Sequence, residues 1–262
     1  MKHIISRDNP HFKAWKKLAQ SGRARRQAGE VLLEGLHLVT AWQVACGLPS
    51  CILVSDKGRQ NPEIADWLAG LGEHAPEPTQ LSEALFAELA DTETPGGLLA
   101  FAPRPAQATP PAPDQDSLLL DGVQDPGNLG AILRTAAAAG VSQALLSADC
   151  ADAWSLKVLR AGQGAHFQMR IHEGVDLPDF LAAFAGESLA TALKEGQSLY
   201  AAAWRHPVAW VFGSEGQGVR PPVLAAAQKR IRIPMPGKLE SLNVATAAAV
   251  CLFEMVRRHG SA

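Results

Sequence analysis

Short unbroken apolar runs alternate along this chain with stretches whose apolar residues recur every three or four positions. The first kind predicts strands buried on both faces, the second helices. In the first hundred residues, GEVLLEG (29–35), CILVS (51–55) and Gly96–Phe101 predict strands. Leu36–Ala45, Asn61–Leu68 and Ser82–Leu89 predict helices between them. The alternation is clearer from residue 117. SLLLDGV (117–123), Ala144–Ser147, Phe167–Ile171, Ser188–Leu193, VAWVFG (208–213) and Lys229–Ile233 predict strands. Asn128–Ala139, Ser155–Ala161, Asp176–Phe184 and the Ala-rich Asn243–Arg258 predict helices, with Gly140 a natural helix stop. Such alternation predicts an α/β fold with a mostly parallel sheet covered on both faces. Ligands of such sheets bind beyond the carboxyl ends of the strands. PRPAQATPPAPDQD (103–116) holds five prolines and no large apolar residue, and predicts a stiff linker between domains at 1–102 and 117–262.

With 262 residues, 47% of them hydrophobic, the chain can bury a core, and disorder as its dominant state is excluded. No apolar run reaches the ~18–20 residues of a membrane span, and no membrane partner is expected. The opening MKHIISRDNPHFKAWKK lacks an apolar signal core, so a cytoplasmic protein is expected. Cys46, Cys51, Cys150 and Cys251 form no CxxC pair and no zinc spacing, and read as reduced packing residues. The net charge of −2 conceals an asymmetry: residues 1–30 carry +6, 31–116 carry −9 and 117–262 carry +1. The basic start, with Lys13, Lys16, Lys17, Arg23, Arg25 and Arg26, suits either a polyanion partner or a solvated helix face.

Three polar stretches follow three predicted strands. In DPGNLGAILRTAAAAG (125–140), Asn128 is placed to cap a helix, and Arg134 stands in an otherwise small and apolar helical run. In FGSEGQGV (212–219), three glycines permit positive φ and close approach of backbone, with Glu215 inside the loop. In IPMPGKLESLNVATA (233–247), two prolines and a glycine make a rigid loop, and Ser241 or Asn243 offers polar groups at the start of the last helix. Gly216-Gln217-Gly218 and Gly162-Gln163-Gly164 both lack the third glycine of a dinucleotide fingerprint. There is no P-loop lysine and no GxSxG elbow. His166, His172 and His206 have no ligand partner at metal spacing, which favours core or surface roles and no metal.

The three stretches, in this order, resemble the three motifs of the SpoU (TrmH-type) RNA 2′-O-ribose methyltransferases of the SPOUT superfamily. The opening ISRDNPHFKAWKKL, with VLLEG (31–35) and DTETPGGLLA (91–100), is similar to the family's ribosomal-protein-like N-terminal domain. The resemblance implies a small α/β RNA-binding domain followed by a methyltransferase domain with a trefoil knot. It implies S-adenosylmethionine as cofactor, held at Gly213, Ile233, Met235 and Leu242, and a homodimer that shares its active sites. Arg160 matches the family pattern and is implied to contact RNA. The chain departs from that pattern at Ala139, where members often carry a larger residue, and at Gly162, where a serine is usual.

The implied reaction is in-line attack of a ribose 2′-oxygen on the sulfonium-bound methyl, with no metal. It needs orientation of the two reactants and stabilisation of a developing alkoxide. Arg134 is assigned to the 2′-hydroxyl, either as general base or as a cation that lowers the hydroxyl's pKa. Asn128 is assigned to orient ribose or phosphate, and Glu215 to hold Arg134 or a backbone turn. Ser241 and Asn243 complete the polar shell. The basic N-terminal segment is expected on phosphates, and a single-stranded loop or bulge is the expected target. Ribosomal RNA is favoured over transfer RNA. The competing readings are a degenerate RNA-binding protein of ribosome assembly, a base methyltransferase and a dehydrogenase.

Overall fold

The computed structural model describes residues 1–106, 109–193 and 195–259. The first part of the chain runs β1 (Lys2–Ile4), α1 (Pro10–Gln20), α2 (Gly22–Ala28), β2 (Glu30–Glu34), α3 (Leu36–Cys46), β3 (Cys51–Ser55), α4 (Asp56–Gln60), α5 (Pro62–Ala69), β4 (Thr79–Leu81), α6 (Glu83–Ala87) and β5 (Leu98–Pro103). Then come β6 (Ser117–Asp121), α7 (Pro126–Ala138), β7 (Gln143–Leu146), α8 (Leu156–Gly162), a 3₁₀ turn (Ala165–Phe167), β8 (Arg170–Glu173), α9 (Leu177–Ala183) and β9 (Glu187–Thr191). The chain closes with β10 (Gln197–Ser198), β11 (Val208–Gly213), α10 (Pro221–Ala226), β12 (Lys229–Arg232) and α11 (Val244–His259).

Met1–Ala106 and Trp154–Phe167 form one compact unit, and the described residues of 107–153 and 168–262 form a second. In the first, five strands lie in the order β1-β4-β3-β5-β2. The β1, β4 and β3 strands run parallel, and β5 is antiparallel to both β3 and β2. Their core joins Phe12, Leu32, Leu53, Phe86, Leu99 and Phe101 to Leu156 of α8. Phe167 meets Trp42 edge-on at 5.2 Å, and Arg160 pairs with Asp91 at 3.0 Å. The segment 154–167 therefore packs with the N-terminal half, although the sequence places it within 117–262. Asn9 caps α1 by accepting from the His11 N–H at 2.9 Å, with Pro10 at the first helical position.

In the second unit seven parallel strands lie in the order β10-β12-β9-β11-β6-β7-β8. Both central strands, β6 and β11, are buried at every position, which is why they read as continuous apolar runs. On one face, Leu119, Leu145 and Val211 pack against Phe180 and Leu181 of α9 and Val223 of α10. Helices α7 and α11 pack on each other, and α11 on β11.

Several details depart from the sequence reading. Strand β8 begins three residues later than Phe167, because Ala165–Phe167 winds into a 3₁₀ turn. Strands β1, β4 and β10 span only two or three residues, too few to leave an apolar run. The proline-rich stretch is pinned near its end: Gln143 exchanges hydrogen bonds with the Ala112 backbone, and the Ala185 N–H donates to the Pro113 carbonyl. Its residues 107 and 108 lie outside the described residues. Cys46 is exposed, so it is not a packing residue, while burial pushes the thiols of Cys51 and Cys251 up to about 12. His166 and His172 are core residues, and burial together with Arg170 lowers the His172 pKa. Among the described residues, no helix is long and apolar enough to cross a membrane.

Candidate active site

The second unit's chemistry gathers where β6 and β11 end, side by side, with Gly213 level with Asp121. This is the position at which parallel sheets bind ligands. Beyond β6, Asp125 rather than Asn128 caps α7: its carboxylate accepts from the Asn128 N–H at 2.7 Å. Asn128 sits in the first turn of the helix, and its side-chain amide is therefore available.

Both ends of that amide are engaged. Its Nδ2 donates to Glu215 Oε1 at 2.6 Å, and its Oδ1 accepts from Asn243 Nδ2 at 2.9 Å. Asn243 in turn caps α11, its Oδ1 accepting from the Ala245 and Thr246 N–H groups at 2.9 and 3.3 Å. One relay thus joins all three polar stretches singled out in the sequence. A carboxylate that only accepts faces Nδ2, and an amide donor faces Oδ1, so the orientation of Asn128 is fixed. Glu215 accordingly holds Asn128 and not Arg134.

The loop carrying Glu215 is closed on itself. Ser214 and Gly218 exchange backbone hydrogen bonds of 3.1 and 2.9 Å, and Gly218 has φ +69°. The return is so tight that a Cβ at Gly213 would lie 1.9 Å from the Gly218 carbonyl carbon. Only glycine fits at 213.

A second anchor holds the far end of this loop. Asp121 ends β6 with its side chain fully buried and accepts from the Arg220 backbone N–H and from Arg220 Nε, both at 2.7 Å. Arg220 Nη1 reaches Asp149 Oδ2 at 2.7 Å. The hydrogen bond that Arg220 donates to Asp121 raises the Arg220 pKa further above its ordinary value. The sequence reading missed this pair. Its only trace was a carboxylate closing an otherwise apolar strand and an arginine directly after the glycine loop.

Arg134 is exposed and makes no hydrogen bond or ion pair among the described residues. It lies six residues beyond Asn128 on α7, about 9 Å along the helix and about 120° around it. It therefore stands apart from the relay, with its guanidinium uncommitted. Ser241 is also exposed. Ile233, Met235 and Leu242 are half-buried in an irregular segment, 233–243, that belongs to no strand or helix. Among the described residues the backbone N–H and C=O groups of 233–242 have no partner, and such groups beside apolar side chains suit a purine nucleoside, so this segment fits an adenosyl group.

The basic N-terminal residues divide by environment. Lys17, Arg23 and Arg26 are exposed. Lys13 pairs with Asp8 at 2.9 Å, and Lys16 with Glu88 at 2.5 Å. Arg25 is buried, and its Nη1 donates to the carbonyls of Leu18 and Ala19 at 2.7 and 2.8 Å. It closes the end of α1 and is removed from the RNA-facing set.

Comparison with known proteins places these features. Residues 116–253 match the SpoU rRNA Methylase family, and residues 9–100 match the MRM3-like substrate binding domain. The chain is 34% identical over 258 residues to the 23S rRNA (guanosine(2553)-2′-O)-methyltransferase RlmP of Bacillus subtilis, covering 97% of this chain and 99% of that protein. It superposes on a solved RNA 2′-O ribose methyltransferase with a TM-score of 0.84, at 33% identity and covering 98% and 99% of the two chains. An AdoMet-bound rRNA methyltransferase from Sinorhizobium meliloti gives a TM-score of 0.82 at 26% identity, covering 98% of each chain.

Proposed function

The chain belongs to the SpoU rRNA methylase family and is an S-adenosylmethionine-dependent RNA 2′-O-ribose methyltransferase; we propose that its substrate is ribosomal RNA and that Arg134 is its principal catalytic residue. The observation that carries the assignment of roles is the Asn128–Glu215–Asn243 relay beyond β6 and β11. It binds the three motif stretches into one polar cluster and leaves Arg134 uncommitted.

When bound, S-adenosylmethionine supplies an electrophilic methyl group. Gly213, Ile233, Met235 and Leu242 would hold it, chiefly through backbone groups. The protein's own residues then have two tasks. Asn128, fixed by its neighbours, positions the ribose. Arg134 stabilises the alkoxide that develops on the 2′-oxygen; a guanidinium stays charged at neutral pH, so it acts as a cation and not as a base. Ser241 completes the polar shell.

We assign RNA backbone contacts to Lys13, Lys16, Lys17, Arg23, Arg26 and Arg160, whose charges lie on α1, α2 and α8 of the first unit. Ribosomal RNA is supported by the relative that modifies 23S rRNA and by the match of residues 9–100 to a substrate-binding domain. A homodimer is the proposed working form, its partner completing the surroundings of Arg134. The domain limits we propose remain 1–102 and 117–262, joined by 103–116, with the segment 154–167 packing into the first.

The test is transfer of labelled methyl to unmodified ribosomal and transfer RNA, with alkaline-resistance mapping of the product. Label in a ribose of ribosomal RNA is expected. Arg134→Ala should abolish it while leaving donor binding nearly intact. Label in transfer RNA alone would overturn the choice of substrate, and comparable turnover by Arg134→Ala would remove that residue from the mechanism.

A further inference from the structure

His206 finds its partners far away in sequence. Its Nδ1 lies 2.9 and 3.0 Å from the two carboxylate oxygens of Asp116, 90 residues earlier. The ring of His259, the last residue of α11, lies against that of His206. One ligand atom from each of Asp116, His206 and His259 lies within 4.8 Å of the others. His259 makes no hydrogen bond among the described residues. The sequence reading found no ligand partner for His206 because the three positions are brought together only by the fold.

We propose that Asp116, His206 and His259 form a site for a divalent transition-metal ion of the zinc class. Two imidazoles and one carboxylate are the donor types zinc takes, and three protein ligands leave one position for water. With bonds of about 2.0–2.1 Å, tetrahedral ligand atoms stand roughly 3.3 Å apart. The three ligand atoms lie within 4.8 Å of one another, so they must draw in to reach that separation, a shift that side-chain rotation supplies.

The backbone that carries the three ligands is held independently of any metal. The Val208 N–H donates to Asp116 Oδ1 at 2.7 Å, tying the start of β11 to the start of β6. Arg258, next to His259, donates to the carbonyls of Ala202 and Leu199 at 2.5 and 2.7 Å and lies 3.8 Å over the Trp204 ring. Glu254, nearly buried, holds both Arg257 and Arg258. The end of α11 is thereby fastened to the segment that leads into His206. A site supported in this way is pre-organised.

Its place in the fold assigns its role. Asp116 and His206 precede β6 and β11, whereas the methyl-transfer cluster follows the same two strands. Four residue steps of about 3.3 Å in β6 and five in β11 separate the two ends. The ion would staple α11 to the sheet and take no part in the chemistry, so the inference stands apart from the methyltransferase reading.

The test uses the full chain, freed of any histidine tag and stripped with chelator. Calorimetric titration with zinc chloride and cobalt absorbance should show one ion per chain in a tetrahedral, nitrogen- and oxygen-only field. His259→Ala, at an exposed helix end, and His206→Ala should each weaken binding at least tenfold. Zinc should raise the Tm of the parent and not of either variant. Methyl transfer by the metal-free protein should be unchanged. No saturable binding, binding undiminished in both variants, or thiolate-to-cobalt charge-transfer absorption would each overturn the proposal.

Discussion

The shortest link of the relay, Asn128 Nδ2 to Glu215 Oε1 at 2.6 Å, separates two roles that Glu215 could play. Glu215→Gln keeps an acceptor oxygen at that point and removes the charge. Glu215→Ala removes both. A hydrogen bond to a charged group contributes about 1.5–3 kcal/mol when sheltered, but this pair is open to water, which brings it to about 1 kcal/mol. That energy is about fivefold in the population of correctly held Asn128. Glu215→Ala should therefore lower single-turnover methyl transfer about fivefold, and Glu215→Gln less than about twofold. Asn243→Ala cuts the other anchor and a helix cap, and the double variant Glu215→Ala/Asn243→Ala should lose more than the product of the single losses, because either anchor alone still orients the amide. The assay is rapid-quench transfer of labelled methyl at saturating donor, with urea melts confirming that each variant is folded. Equal losses in Glu215→Gln and Glu215→Ala would refute the positioning argument and return Glu215 to charge chemistry.

Neutralising Lys17, Arg23 and Arg26 should reduce the slope of log affinity for RNA against log salt by about 2, at about 0.7 per phosphate contact on single strands. Arg25→Ala should leave that slope unchanged and instead cost about 2–3 kcal/mol in urea unfolding, since the Leu18 and Ala19 carbonyls lose a charged donor. Asp121→Asn turns an acceptor toward the Arg220 N–H or Nε into a donor and should destabilise by about 2–3 kcal/mol, less than a fully buried pair because Arg220 is 42% exposed; a shift below about 0.5 kcal/mol would refute the anchor. The arginines Arg257 and Arg258 hold the Glu254 carboxyl at about 2, against an ordinary 4.5. A lowered carboxylate pKa stabilises above the unfolded value, so Glu254's contribution should be full at neutral pH and fade as pH falls from about 4.5 toward about 2. A Glu254→Gln variant should show a flatter stability profile over that window.

Much of the second unit was legible because its strands are buried on both faces and so appear as uninterrupted apolar runs, as in SLLLD and VAWVFG. Its three polar stretches were legible as loops, but their mutual contacts were not. Asn128 resembles a helix cap in sequence, and only the structure shows Asp125 taking that place and freeing the amide for Glu215 and Asn243. Charge pattern misled at Arg25, since composition cannot tell a solvated cation from one closing a helix end. Periodicity carries no record of partners 90 residues apart, as with Asp116 and His206.

The claim of the first unit on residues 154–167 has a consequence in time. Leu156 completes the same core as Phe12 and Phe101, so that core stays unfinished until some sixty residues beyond Ala106 have been made. At about 5–20 residues per second, the wait is roughly 3–12 s. During it, β6, α7 and β7 of the second unit emerge from the ribosome ahead of the piece the first unit lacks. The two halves of this protein are therefore born interleaved, and no single cut between them yields a first half that is whole.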